Sequence, residues 1–412
     1  MFIWLCMPSA AFCQSQKTAN GKAINSTAND LTAELADRLE LAGSNRGEIE
    51  KALNVTSPQH RVTSPQHRVT SPQHRKAVTF LVRNMRKDDL RSLSAEFILE
   101  NVQLAFQAKK EFEWQDKISD EMFLNEILPF AVITEQRESW RKDLMEICRP
   151  IVKDCKTTRQ AAMAINQHLF KIIKVKYSRK RKKAVQSPSE SIEQGKASCT
   201  GLAILLVDAC RSVNVPARLV GIPSWTTKRG NHTWVEVWAD GDWHFTGAAE
   251  FDPKGLDRGW FVKDASQANK AKRWNSIYAV SFARTETTFP IFRSRDPGNK
   301  VYAVNVTDRY TRLRKSTESD ENKIAVRIRV WNSGRTQRVS RPIEIALKSD
   351  QSIAGQGSSN GAEADMNDLF EARLNKNTNY EIRVGKGDQT QRIEFTTSDA
   401  ESELVEIELK QD

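Results

Sequence analysis

Ser198-Cys199-Thr200-Gly201-Leu202-Ala203-Ile204-Leu205-Leu206-Val207-Asp208-Ala209-Cys210 is the stretch on which the reading of this chain turns. The eleven residues before it, Ser187 to Ala197, are polar and turn-rich. After it, Leu202, Leu205, Leu206, Ala209 and Cys210 recur at helical spacing up to Asn214. Cys199 therefore falls in the first turn of a helix. Unpaired backbone N–H groups and the helix dipole favour a thiolate there. The same amides can donate to a developing oxyanion. Cys210 lies inside the helix and reads as core.

Downstream, Pro216-Ala217-Arg218-Leu219-Val220-Gly221-Ile222-Pro223 reads as an extended strand. Asn231-His232-Thr233-Trp234-Val235-Glu236-Val237-Trp238 reads as another, and Asp240-Gly241 as a two-residue hairpin turn. Asp242 to Ala248 returns. His232 opens the hairpin strand, where its ring can meet a cysteine at a helix start. Histidine is scarce: three of the six (His60, His67, His74) sit in one repeat, leaving His168, His232 and His244. His168 lies on a predicted helix from Thr157 to Ile173 and reads as structural.

A helix-start Cys, then PARLVGIP, then NHTWVEVW and a hairpin resembles the transglutaminase-like superfamily, a circularly permuted relative of papain-like cysteine peptidases. The resemblance covers roughly residues 160–262. It implies Cys199 as nucleophile and His232 as general base and acid, with a thioester intermediate. The family's third member is an Asp on the returning strand, and here the sequence departs. With the turn at Asp240-Gly241, Trp238 faces Trp243, Trp234 faces Gly247 and His232 faces Ala249, so that Asp would fall near Gly247. Glu250 and Asp252 are the nearest acids, Glu250 first. Strict alternation points Glu250 to the opposite face unless a bulge corrects it. Asn231 is a possible neutral orienter, His244 a weaker base on the other face, and Gln194 a possible oxyanion donor. Six tryptophans between 225 and 274 read mostly as core, with one or two walling a groove. The competing reading makes Cys199 a buried thiol; the Ser, Thr and Gly around it speak against a dry core.

The chain has 412 residues and a net charge of +11. That excess is modest on this length and does not indicate a nucleic-acid binder. No apolar run reaches the roughly 18 residues of a membrane span. Six cysteines are too few for a disulfide scaffold and form no zinc pattern; Cys148 and Cys155 could pair after export, though spacing alone does not show it. Met1–Phe12 is apolar and precedes an Ala11-Phe12-Cys13 cleavage site, a signal-peptide-like segment over 1–13. Residues 14–75 read as a linker, a short helix and three copies of VTSPQHR at 55–61, 62–68 and 69–75, taken as flexible because each has a proline. Residues 76–153 read as helical, punctuated by Pro129 and Pro150. Residues 154–298 would form the core. Residues 299–412 alternate apolar and polar over 301–306, 324–330, 342–347, 380–384, 393–396 and 404–409, suggesting an immunoglobulin-like β-sandwich. Having no Cys or His, it reads as a binding or spacer module. Lys171–Lys183 is strongly basic and reads as a solvated loop before a docking surface for an anionic polymer or membrane.

The expected fold class is α+β, a transglutaminase-like core with an N-terminal helical region and a C-terminal β-sandwich. The expected function is an exported (secreted, periplasmic or cell-surface) thiol-dependent acyl-transfer enzyme that hydrolyses amide bonds in peptides or proteins. The substrate would be an extracellular protein or cell-wall peptide, with no nucleic acid, no metal and no organic cofactor. The competing readings are a cross-linking transglutaminase and a non-catalytic scaffold on the same fold.

Overall fold

The helix Cys199–Ser212 is the pivot of the structure: every residue after Cys199 is buried, from Thr200 to Ser212. A helix apolar on all sides must be surrounded. In this computed structural model, which describes residues 28–55, 71–227, 230–292, 294–314 and 322–410, it is packed between the helices Trp140–Val152 and Thr158–Ile172 and the strands Ala217–Ile222 and His232–Ala239. Leu202, Leu205, Leu206, Ala209 and Cys210 share one core cluster with Cys148, Ile165, Leu169, Leu219 and Val235.

The core sheet has six antiparallel strands, in the order Asp242–Thr246, His232–Ala239, Ala217–Ile222, Tyr278–Val280, Tyr302–Asn305, Thr287–Thr288. The hairpin has the expected register, Trp238 opposite Trp243. Its turn takes positive φ at Asp240 (52°) and Gly241 (83°), as a type I′ connection requires. At Gly221 a Cβ would stand 2.6 Å from the His232 carbonyl oxygen, so glycine lets the two strands close.

Two boundaries move. The strand read at 301–306 as the start of the sandwich instead pairs with Tyr278–Val280 in the core sheet. The following helix Thr307–Thr311 brings Tyr310 into the aromatic cluster around Trp234. Pro150 does not end a helix; Trp140–Val152 runs through it. The helix accepts the loss of one N–H bond there.

Residues 323–408 form the sandwich. One sheet orders Ile353–Ser358, Pro342–Leu347, Asn379–Val384, Gln391–Thr396; the other orders Phe370–Asn375, Lys323–Trp331, Ser402–Glu408. Ile324, Val326, Ile328, Ile343, Ile345 and Ile382 meet between them. The order differs from an immunoglobulin constant domain, where the third strand lies in the sheet opposite the second; here the second and third strands pair. The last strand runs parallel to the first.

The helices Ala28–Ala42, Arg46–Val55, Pro72–Asn84, Lys87–Ser92 and Ala95–Glu111 pack around a separate apolar cluster that includes Ile49, Leu81 and Val102. The third VTSPQHR copy is structured from Ser71 onward. Ser71 caps the helix by accepting from the His74 N–H, with Pro72 in the first turn, where a missing N–H costs nothing. His74 packs against Phe106, the ring centroids 4.1 Å apart and the planes tilted by 31°. The earlier copies lie largely outside the described residues, as does Met1–Phe12. Among the described residues no helix is long and apolar enough to cross a membrane.

Candidate active site

Ser198 is the N-cap of the Cys199 helix. Its Oγ accepts from the Gly201 N–H at 3.1 Å and donates to the Ala184 carbonyl at 2.5 Å. Cys199 follows as the first helical residue and is half-buried. The N–H groups of Cys199 and Thr200 are among the four that a helix start leaves without intrahelical acceptors. Thr233 donates to Thr200 at 3.2 Å, tying the histidine's strand to the cysteine's helix one residue from each.

His232 is buried at 1% exposure, encased by Trp225, Trp234, Trp260 and Phe261, with the Trp260 ring 4.6 Å away. The acid nearest to it comes from the sandwich. Asp365, on the connection between Ile353–Ser358 and Phe370–Asn375, places Oδ2 3.7 Å from His232 Nδ1. One reactive atom each of Cys199, His232 and Asp365 lies within 4.8 Å of the other two. Thiolate, imidazole and carboxylate are also a zinc-type donor set. An ion held there would occupy the nucleophile.

The loop is held on both sides. Asp365 Oδ1 accepts from the Asn367 N–H at 2.8 Å and from its Nδ2 at 3.1 Å, which leaves Oδ2 for the histidine. Asn367 Nδ2 also donates to the Asn231 carbonyl at 3.0 Å, and the Met366 N–H donates to the Tyr177 hydroxyl at 3.2 Å. Buried Arg338 donates to the carbonyls of Asp365 (3.1 Å) and Ala364. Lys176 pairs with Glu363.

Burial works against a charged His232 ring. The contacts with Asp365 and Cys199, and both their charges, overcome it and hold the imidazole up at about 10. Burial also penalises the Asp365 charge, but His232 and Asn367 hold its carboxyl below the usual range. Burial, with the nearby charges of Asp365 and Cys199, pushes the Tyr177 hydroxyl up to about 12. The site thus favours an imidazolium beside the Asp365 carboxylate. The other described cysteines are free thiols set for inertness. Burial pushes Cys148 up to about 12, and Cys210 and Cys155 upward.

The remaining candidates divide. Glu250 is buried beside this group, and burial pushes its carboxyl up to about 7, with the His232 charge opposing. Asp252 is turned outward: it receives Arg258 at 2.8 Å and the Lys254 N–H at 2.8 Å. Gln194 is spent locally, its Oε1 accepting from the Lys182 N–H and its Nε2 donating to the Glu190 carbonyl. His244 binds Asp257 at 2.5 Å and Arg159 at 3.1 Å. Asn231 is exposed and offers its carbonyl to Asn367. His168 is exposed on its helix. Asp365 lies in a module without Cys or His, which draws no attention to it; the Asp-x-Asn turn at Asp365 is the signal the sequence offers.

A helix-start thiol, a buried histidine and a carboxylate thus form a triad-like group. Residues 145–248 match the model of the Transglutaminase-like superfamily. Among solved structures, the chain is similar to a "Putative Cysteine Protease" from Cytophaga hutchinsonii at 18% identity, covering 43% of this chain and 63% of that one, with TM-score 0.26. It is also similar to a transglutaminase of red sea bream at 9% identity, covering 63% of this chain and 57% of that one, with TM-score 0.25. The chain thus spans less than two thirds of either protein. No curated protein matches it.

Proposed function

We propose that this chain is an exported thiol-dependent acyl-transfer enzyme that hydrolyses amide bonds in peptides or proteins. The convergence of Cys199, His232 and Asp365 within 4.8 Å carries the reading. The Cys199 thiolate attacks the amide carbonyl carbon, and first-turn N–H groups receive the oxyanion. His232 gives its proton to the departing nitrogen as the C–N bond breaks, leaving a thioester on Cys199. Water then attacks; His232 takes its proton and returns it to the sulfur as the acid departs. Two carboxyl groups beside His232 support the reading, where the sequence offers no acid at Gly247.

The test is mass spectrometry of the protein after incubation with a library of glutamine-containing peptides, with and without an amine. An acyl adduct on the Cys199 peptide, absent from Cys199→Ala, is the expected result, with free acid as product. An amine-linked product in its place selects cross-linking. No adduct, with Cys199 alkylated no faster than an ordinary thiol, overturns the reading in favour of a scaffold. Export rests on the apolar Met1–Phe12 stretch. N-terminal sequencing of the mature protein is expected to begin at Gln14; an intact Met1 on protein from the cell interior would count against export.

A further inference from the structure

Strand pairing in the hairpin ends at Thr246, opposite Val235. The chain then turns. The Glu250 N–H donates to the Gly247 carbonyl at 3.2 Å, and Ala249 takes a left-handed φ of 63°. A non-glycine residue there is strained and needs support. Buried Asn166 supplies it, accepting from the Ala249 N–H at 2.9 Å and donating to the Gly247 carbonyl at 2.9 Å. The turn throws the Glu250 side chain back over Gly247. A Cβ built on Gly247 would stand 2.0 Å from Glu250 Oε2 and 2.7 Å from Cδ. The carboxyl fills the space that any side chain at 247 would need. Trp260, 4.6 Å from the His232 ring, adjoins this carboxyl and favours its charge, and Oε2 is buried with no hydrogen-bond partner.

The geometry points to Glu250 as a second positioning carboxyl of the site, seated in the space Gly247 leaves open and acting on His232 alongside Asp365. This rests on the thiol reading above. The charged groups that face Glu250 are His232 on the hairpin strand and Asp365 and Asp368 on the sandwich loop. Burial and the two aspartates oppose its ionisation; His232 and Trp260 favour it, and the balance falls at about 7. Above that pH a second negative charge adjoins the imidazolium and strengthens its pairing with the Cys199 thiolate. Asp365 supplies its charge at every physiological pH, whereas Glu250 adds one only toward the alkaline side of neutral.

The readout is the pH profile of Cys199 alkylation by iodoacetamide in the full chain, from pH 5 to 9, which needs no substrate. Wild type is expected to show a rise centred near pH 7. Glu250→Gln removes that rise and slows alkylation at pH 8 by about tenfold, the equivalent of one pKa unit on the ion pair. Gly247→Ala, which leaves Glu250 chemically intact but displaces its carboxyl, behaves like Glu250→Gln. The double variant Gly247→Asp with Glu250→Ala restores a carboxyl to the same space and recovers the neutral-pH rate. A fast wild type whose profile Glu250→Gln or Gly247→Ala leaves unchanged overturns this inference and spares the thiol reading. A slow wild type with the profile of a free thiol sinks both.

Discussion

Asp365→Asn is expected to slow turnover at pH 7 by up to about 10⁴-fold, the loss that a triad acid-to-amide change causes, and to slow Cys199 alkylation as well. The residue lies in the sandwich, on a loop with no Cys or His of its own, and is 4% exposed. An amide keeps the size and the Asn367 contacts of the carboxylate but cannot stabilise an imidazolium. The Nδ1–Oδ2 gap of 3.7 Å is an ion-pair distance. Such contacts tighten when substrate is bound. Linkage gives the pH dependence its sign. His232 is raised from 6.5 to about 10, so its pairing contributes stability fully below 6.5 and loses it as pH rises through about 10. The Asp365 carboxyl is lowered from 3.8, so its share is present above 3.8 and lost as pH falls below that. Thermal melts are therefore expected to separate Asp365→Asn from wild type most between about pH 4 and 6.5, and to converge above pH 10. Alkylation at the wild-type rate, with coincident melts, would remove Asp365 from the site and return the sandwich to a spacer.

Glu236→Ala is expected to cost about 3–5 kcal/mol of stability, the range for removing one partner of a buried ion pair. Glu236 is fully buried on the hairpin strand, opposite Arg218 in register. Its Oε2 accepts from Arg218 Nε at 2.8 Å and Nη2 at 2.6 Å, and its Oε1 accepts from the Tyr310 hydroxyl at 2.8 Å. Tyr310 in turn accepts from Trp234 Nε1 at 2.7 Å, and the Arg218 guanidinium lies 3.8 Å over the Trp243 ring. Removing the carboxylate leaves Arg218 buried without its partner and frees a tyrosine hydroxyl inside the core, both costly. Urea denaturation measures the loss. Glu236→Gln, which keeps an acceptor, is expected to lose less. A cost under about 1 kcal/mol for Glu236→Ala would mean that water reaches Arg218. The Glu of NHTWVEVW is thus a structural residue of the strand that carries His232, a role the motif does not announce.

What could be read along the chain was short-range. A Ser N-cap before Cys199, leucines at helical spacing and the Asp240-Gly241 turn each express their conformation within a few residues. From these came the helix-start thiol, the hairpin register and the histidine that faces the thiol. Five of the sandwich strands were legible for the same reason, since alternation is a property of neighbours. Two were not. Ile353–Ser358 is nearly all exposed or half-exposed and carries Gly355 and Gly357, and a Cβ on Gly357 would stand 2.5 Å from the Phe370 ring. Its apolar partner thus sits on the adjoining strand, and its own residues show no alternation. The strand at 302–305 alternates equally well in either sheet; only the pairing with Tyr278–Val280 assigns it to the core.

The site's acids were decided by tertiary structure. Glu250 reaches the His232 side through a turn that a single glutamate could not advertise, because its geometry depends on Asn166 clamping Ala249 from another helix. Asp365 reaches it through Arg338, Tyr177 and Asn231, each distant along the chain. A carboxylate carries no local signature of the histidine it will meet. That meeting is fixed by how two modules pack, and packing is a sum over contacts that neighbouring residues do not encode. The sequence by itself determined the helix-start thiol, its helix and the strand of the histidine that faces it; the fold in three dimensions decided which acids face that histidine.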